Sequence, residues 1–268
     1  MCDNSPVFMA DNDDPLMQEA VKRARQSFRF FWRELSWEYR RIVPGLDVSA
    51  IKVAFSDVDE PSKDDPVEQM WVGDVNFDGI HISGTLMNDP QWLTSVEQGD
   101  EIKLPVARVT DWMYAIDGIA YGAFTVHIIR SQMGKAERRS HDEAWGLDFG
   151  PPDSYRVVPS DYLPKQLRSG TPSITQMAEI EHPMAINMVE SMKEFASHPD
   201  HLTSTDDHGF TILHQLSLAG ANRCVEALLK LGADPSKPAK NGMTPLALAR
   251  RLGWKQVQET LTAHGAKK

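Results

Sequence analysis

The stretch DDHGFTILHQLSLAGANRCVEALLKLGADP, residues 206–235, repeats its pattern 33 residues further along the chain. At that shift Gly209 falls on Gly242, Thr211 on Thr244, Leu213 on Leu246, Leu216 on Ala249, Gly220 on Gly253 and Leu228 on Leu261. Each position has a physical reason. Glycine allows the tight turn at positive φ. The Thr hydroxyl caps the helix that follows, and Pro245 suits a first helical turn. Leu213, Leu216, Val225, Leu228 and Leu229 form the apolar stripes of two antiparallel helices, with Gly220 breaking the chain between them. Gly232-Ala233-Asp234 ends the second helix and opens the next hairpin.

A 33-residue period with this pattern is the ankyrin signature. The second unit departs from the first. Ala247 stands opposite His214 and Gln258 opposite Val225, as suits a terminal repeat that turns a polar face to water. His214 matches the structural histidine of the ankyrin element, and Cys224 reads as a small core residue. Two repeats expose an apolar front end. The segment 184–202 is expected to cover it as a degenerate first repeat: Val189, Met192 and Phe195 have near-helical spacing, and His198-Pro199-Asp200 ends the helix.

The front of the chain reads differently. Asp13 or Asp14 as cap and Pro15 at the first position open a helix over 15–43, stopped by Pro44-Gly45. Its apolar face holds Leu16, Ala20, Ala24, Phe28, Phe31, Trp32 and Leu35. Strands are expected at 50–56, 69–76, 80–86, 101–104 and 106–116, with Phe77-Asp78-Gly79 as a hairpin turn and a further turn at Asp117-Gly118. Segment 123–133 is ambiguous between strand and helix. The predicted class is an α+β N-terminal domain, a curved antiparallel sheet with packed helices, followed by an all-α ankyrin-repeat C-terminal domain. The expected boundaries are 14–150 for the first domain, 151–174 for a linker and 175–268 for the repeats.

Gly84 and Leu86, Asn88-Asp89-Pro90, Gly99-Asp100, Asp111-Trp112-Met113-Tyr114 and Gly122 carry a resemblance. The region from about 20 to 133 resembles the bacterial domain of unknown function 2314, the YegJ-like family. The family has no established activity, so the resemblance implies a bacterial or phage source and no reaction.

Charge is uneven. The net charge is −10. From Thr205 onward nine Lys and Arg face five Asp and Glu, while the first 204 residues carry 19 against 33, a net of −14. An acidic body argues against nucleic acid, whose phosphates need cations, and against an anionic membrane surface. A protein partner, a basic one, suits it better. No apolar run reaches the roughly 18 residues of a membrane span, and the acidic opening segment lacks a secretory pattern. Two distant cysteines, Cys2 and Cys224, make no disulfide framework, which points to the cytoplasm.

No nucleophile elbow, phosphate loop or metalloprotease helix occurs. His198-x-x-His201, with Asp200 and Asp206 nearby, reads as a solvated loop rather than a metal site. Asp57, Asp59, Glu60, Asp64 and Asp65 lack calcium-loop spacing and read as a solvated segment. No metal and no cofactor is expected. In the front domain Asn88, Asp89, Asp111 and Trp112 are the candidate ligand patch, weighed against a turn and a core. By position in the repeats, the candidate protein-binding residues are Asp207, His208, Phe210, Leu218 and Ala219, then Lys240, Asn241, Met243, Arg251 and Leu252. Phe210 and Met243 occupy the same repeat position. They face either a partner or the rest of the chain.

The reading that follows is a non-catalytic interaction protein. Bacterial proteins that join such repeats to small α+β domains are often neighbours of toxin genes, which points to an immunity protein. The alternative is an enzyme with a carboxylate site near Asn88, Asp89 and Asp111 and repeats that recruit substrate.

Overall fold

The computed structural model describes residues 14–58, 67–198 and 200–267. Cys2, Asp13, Asp59, Glu60, Asp64, Asp65 and Pro199 lie outside the described residues. Two compact units form. The first takes Met1–Ser27, Gly45–Asn76 and Ile82–Val157, the second Phe28–Pro44, Phe77–His81 and Val158–Lys268.

Helix α1 (Pro15–Glu38) opens under Asp14, whose carboxylate accepts the Leu16 amide at 2.8 Å. The helix ends five residues before the expected position. The amides of Arg40 and Arg41 bond back to the Trp37 and Glu38 carbonyls, and the Arg40 guanidinium donates to the Ser36 carbonyl. These bonds satisfy the last turn before Pro44 is reached. Up to Ser27 the helix is one-sided, burying Met17, Ala20, Ala24 and Ser27 while Leu16 is exposed, contrary to its expected place on the apolar face. From Phe30 to Trp37 every residue is buried, as in a helix enclosed by protein.

Strands β1 (Val48–Phe55), β2 (Glu68–Phe77), β3 (His81–Leu86), β4 (Glu101–Pro105), β5 (Val109–Ile116) and β6 (Ile119–Gly122) make an antiparallel sheet in the order β4-β3-β2-β1-β5-β6. β1 lies between β2 and β5, with Ile51 opposite Val72 on one side and Trp112 on the other. The last expected strand starts three residues late, because 106–108 form a 3-10 turn. The turn after β2 is held by Asp78, whose carboxylate accepts the amides of Ile80 and His81 at 2.8 and 2.7 Å. One sheet face meets the first half of α1, where Trp112 Nε1 donates to the Ala24 carbonyl at 2.9 Å. The opposite face, with Ala50, Trp71, Met113 and Ala120, packs on Ala123, Val126 and Phe149.

The ambiguous segment is helix α2 (Phe124–Gln132), followed by α3 (Lys135–Trp145). Gly122 makes the entry possible. It has φ of 78°, and a Cβ there would lie 2.3 Å from the Trp112 carbonyl oxygen.

In the second unit, short helices α4 (Lys165–Arg168) and α5 (Ile174–Ala178) precede α6 (Pro183–Ser191), a 3-10 segment over 192–197 and α7 (Asp200–Thr203). Then come two helical hairpins, α8 (Ile212–Leu218) with α9 (Asn222–Lys230) and α10 (Pro245–Leu252) with α11 (Lys255–Ala263). Thr211 and Thr244 cap α8 and α10. His214 closes the first cap: its Nδ1 lies 2.8 Å from Thr211 Oγ1 and accepts the Thr211 amide at 3.2 Å. Adjacent hairpin tips are joined by the Lys240 amide, which donates to the His208 carbonyl at 3.0 Å. The segment before the repeats, α6 running into a 3-10 turn, packs on α9.

Candidate functional site

In the first unit the chemistry gathers at Asp111, which is wholly buried on β5. Its Oδ1 accepts the amides of Trp112 and Phe124 at 2.8 and 3.0 Å, and its Oδ2 accepts the Thr125 amide and hydroxyl at 2.7 and 2.6 Å. Two of these amides open α2, so Asp111 caps that helix from a distant strand. Lys52 on β1 donates to Thr125 Oγ1 at 2.9 Å and stands 4.8 Å above the Trp71 ring. Burial pushes the Lys52 ammonium down, opposed by Asp111, and pushes the Asp111 carboxyl up, opposed by Lys52 and Thr125. The arrangement positions a helix and exposes no reacting atom.

That corrects the expected ligand patch. Asp111 and Trp112 are both inaccessible to solvent, whereas Asn88 and Asp89 are exposed. Asn88 Oδ1 accepts the Trp71 amide at 2.8 Å, so its acceptor serves the turn after β3. The four residues do not share one surface.

In the second unit a buried polar cluster is built on the second half of α1. Glu34 Oε1 pairs with Arg41 at 3.1 Å and accepts the Tyr162 hydroxyl at 3.3 Å, and Oε2 lies 3.1 Å from His182 Nε2. His182 stacks on Trp37, with centroids 5.5 Å apart. Burial raises the Glu34 carboxyl, but the His182 hydrogen bond and the charges of Arg41 and Arg33 outweigh it and hold the group below its ordinary value. Arg33 donates to the Ile180 carbonyl at 2.9 Å, which ties the same helix to the segment before α6.

The same half of α1 fills the inner side of the repeats. Arg40 reaches Gln215 on α8 at 2.9 Å, Arg29 donates to the Gly253 carbonyl at 3.0 Å, and Phe30 meets the Trp254 ring edge-on at 6.1 Å. The β2–β3 turn completes the filling. Asn241 Nδ2 donates to the Asp78 carbonyl at 2.9 Å, and a Cβ on Gly79 would lie 2.4 Å from Leu248 and 3.5 Å from Met243.

The expected protein-binding residues therefore divide. Asp207, Lys240, Asn241 and Arg251 are exposed, and His208 and Met243 are half-buried. Phe210 and Leu218 are 3% and 1% exposed, and Ala219 and Leu252 are buried too, so these four offer a partner no surface. Phe210 lies flat on His214, centroids 5.5 Å apart, and the Leu218 carbonyl accepts the Trp254 indole N–H at 3.0 Å. His198 and His201 stack on one another at 5.4 Å, with Phe195 edge-on to His201. Cys224 is buried, donates to the Ala185 carbonyl at 3.3 Å, and is pushed by burial up to about 12. The Glu34 cluster escaped the sequence reading, because its members are 148 residues apart at the widest.

No described helix is long and apolar enough to cross a membrane. Residues 14–149 match the family described as an uncharacterized protein conserved in bacteria (DUF2314), and residues 208–240 match an ankyrin repeat. A Neisseria meningitidis serogroup B (strain ATCC BAA-335 / MC58) protein named as an ankyrin repeat protein is 37% identical over 263 residues, covering 97% of this chain and 98% of its own. The YegJ protein of Escherichia coli (strain K12) is 28% identical over 114 residues, 42% of this chain and 67% of its own. The chain belongs to the DUF2314 family, and it joins that domain to ankyrin repeats.

Proposed function

We propose that this chain is a non-catalytic protein-interaction protein of the cytoplasm that binds a basic protein toxin and serves as an immunity protein. The observation that carries the binding role is the pair of hairpin tips, locked together between Lys240 and His208, which present Asp207, Lys240 and Asn241 to solvent. Arg251 extends this surface from the end of α10. Residues 28–44 and 77–81 already pack on the inner side of the repeats, so of the expected contact positions the exposed tips and Arg251 are those open to a partner. The net −14 of the first 204 residues supports a basic partner, because complementary charge speeds encounter and rejects acidic competitors. The enzyme reading loses one of its two carboxylates, since Asp111 is consumed in capping α2.

The test is affinity capture of the intact protein from its native cell, repeated with Asp207→Ala, Lys240→Ala and Arg251→Ala combined. Capture of one basic protein by the native chain and its loss in the variant, at equal melting temperature, are expected. Equal capture by both would reject the tips as the binding surface. The immunity role is read by co-expressing the captured protein with and without this chain. Growth that does not depend on this chain would reject it.

A further inference from the structure

On α3, Lys135, Arg138, Arg139, Asp142 and Glu143 recur at the spacing of a single helix face. They line an open cleft of about 700 Å³, whose opposite wall is the segment 146–152 with Leu147, Pro151 and Pro152. Its floor is Arg130, 1% exposed and rigidly held. Arg130 grips both Asp142 oxygens at 2.8 and 2.7 Å and donates to the Gly150 carbonyl at 2.9 Å.

The charges around the cleft do not cancel. Asp142 is neutralised by Arg130, with His141 Nδ1 at 3.0 Å. Asp148 is held by Arg156 at 3.0 Å and by the Gly150 amide at 2.7 Å. Arg138 spends its donors on the carbonyls of Arg130 and Met133, at 2.9 and 3.0 Å, and keeps its charge. Lys135 and Arg139 are exposed and take no hydrogen bond or ion pair among the described residues. The cleft is thus a local cationic strip, with Glu143 as its one unmatched carboxylate, in a part of the chain that is otherwise strongly acidic.

We propose that this cleft is a docking groove for an acidic peptide segment in extended form. A single exposed ion pair contributes little, so a ligand must engage several cations together. Lys135 and Arg139 are four residues apart on a helix, a rise of about 6 Å. Carboxylates two residues apart on an extended strand are separated by about 7 Å. A segment of the form Glu-X-Glu therefore places one carboxylate on each cation, and its uncharged residue rests on Pro151 and Pro152. The open side of the cleft lets the chain run on in both directions, which a pocket for a small anion does not require.

The test is a fluorescence anisotropy titration of the full-length protein against a labelled alternating Glu-Ala hexapeptide. Saturable binding that weakens with added salt is expected. Lys135→Glu with Arg139→Glu is expected to weaken it at least about tenfold, while Lys255→Glu, an exposed cation on α11, leaves it unchanged. Melting curves of the two variants should match the native protein. Three results would each overturn the proposal: no saturation up to about 1 mM protein, an equal loss in Lys255→Glu, or displacement by inorganic phosphate at the peptide's own concentration.

Discussion

His182 Nε2 stands 3.1 Å from Glu34 Oε2, while its Nδ1 accepts the Met184 amide at 3.2 Å. The second bond fixes the tautomer. Nδ1 is an acceptor, so the one proton sits on Nε2 and points at the carboxylate. Burial lowers the His182 pKa more than Glu34 raises it. A histidine whose folded value is lowered binds its proton more readily when unfolded, so stability is present above about pH 6.5 and falls as pH drops below it. Glu34, also lowered, adds its own loss below the ordinary carboxylate range. Glu34→Gln removes the buried charge facing Arg41, which keeps Glu38 at 2.8 Å, and is expected to destabilise the protein by about 2 kcal/mol. Urea unfolding at pH 7.5 measures it, and a change under about 1 kcal/mol would show that the cluster is not held by charge.

His127 provides a second, independent acid response. It is buried, and burial together with the neighbouring Arg130 lowers its pKa to about 4. The native ring therefore stays neutral while the unfolded one charges near pH 6.5. The gap corresponds to roughly 3 kcal/mol of stability, present above about pH 6.5 and lost as pH falls toward 4. His127→Phe keeps an aromatic ring beside Phe149 and Tyr155 and removes the titration. Its stability between pH 7 and 4.5 should fall less steeply than that of the native protein. Parallel slopes would place the acid response elsewhere.

Asp111 and Lys52 make a test of capping over a distance. Asp111→Ala removes four accepted bonds and strands Lys52 beside Thr125, and a loss of about 3–5 kcal/mol is expected. Asp111→Asn keeps an acceptor for one pair of donors and should lose less. Adding Lys52→Met to Asp111→Asn removes the stranded charge and should recover part of the loss. A double variant no more stable than Asp111→Asn alone would mean that the lysine was not strained by losing its partner.

The parts of the fold legible in the sequence are those written within a few neighbouring residues. Gly209, Thr211 and Pro245 announce the repeats, and Asp78-Gly79 announces its turn, because caps and tight turns need those residues at that place. The α2 segment was ambiguous for the opposite reason. Its N-terminal amides are satisfied by Asp111, which is 13 and 14 residues earlier on another strand, so no local cap is present to read. The end of α1 depends on the side chain of Arg40, and a stop at Pro44 was only the nearest visible breaker. The candidate binding residues divide by the same logic. Position in a repeat marks a tip, but burial of the inner side comes from Arg29, Arg40 and Asp78, more than 160 residues away in sequence.

Phe210 and Met243 share a repeat position, and the structure separates their roles. Phe210 is enclosed and stacked on His214, with the two rings parallel to within 1°. Phe210→Ala opens a cavity at the capped start of α8 and is expected to destabilise by about 3 kcal/mol or more. Met243 is half-buried, with its Cε near Gly79, and Met243→Ala should lose about 1 kcal/mol. Asp207→Lys with Lys240→Glu changes only exposed side chains, and a shift within about 0.5 kcal/mol is expected. Thermal melts of the three variants give the order directly. If Phe210→Ala melted with the native protein while the charge variant melted early, the tips would be structural and the aromatic free, and the division of surface from core drawn here would be reversed.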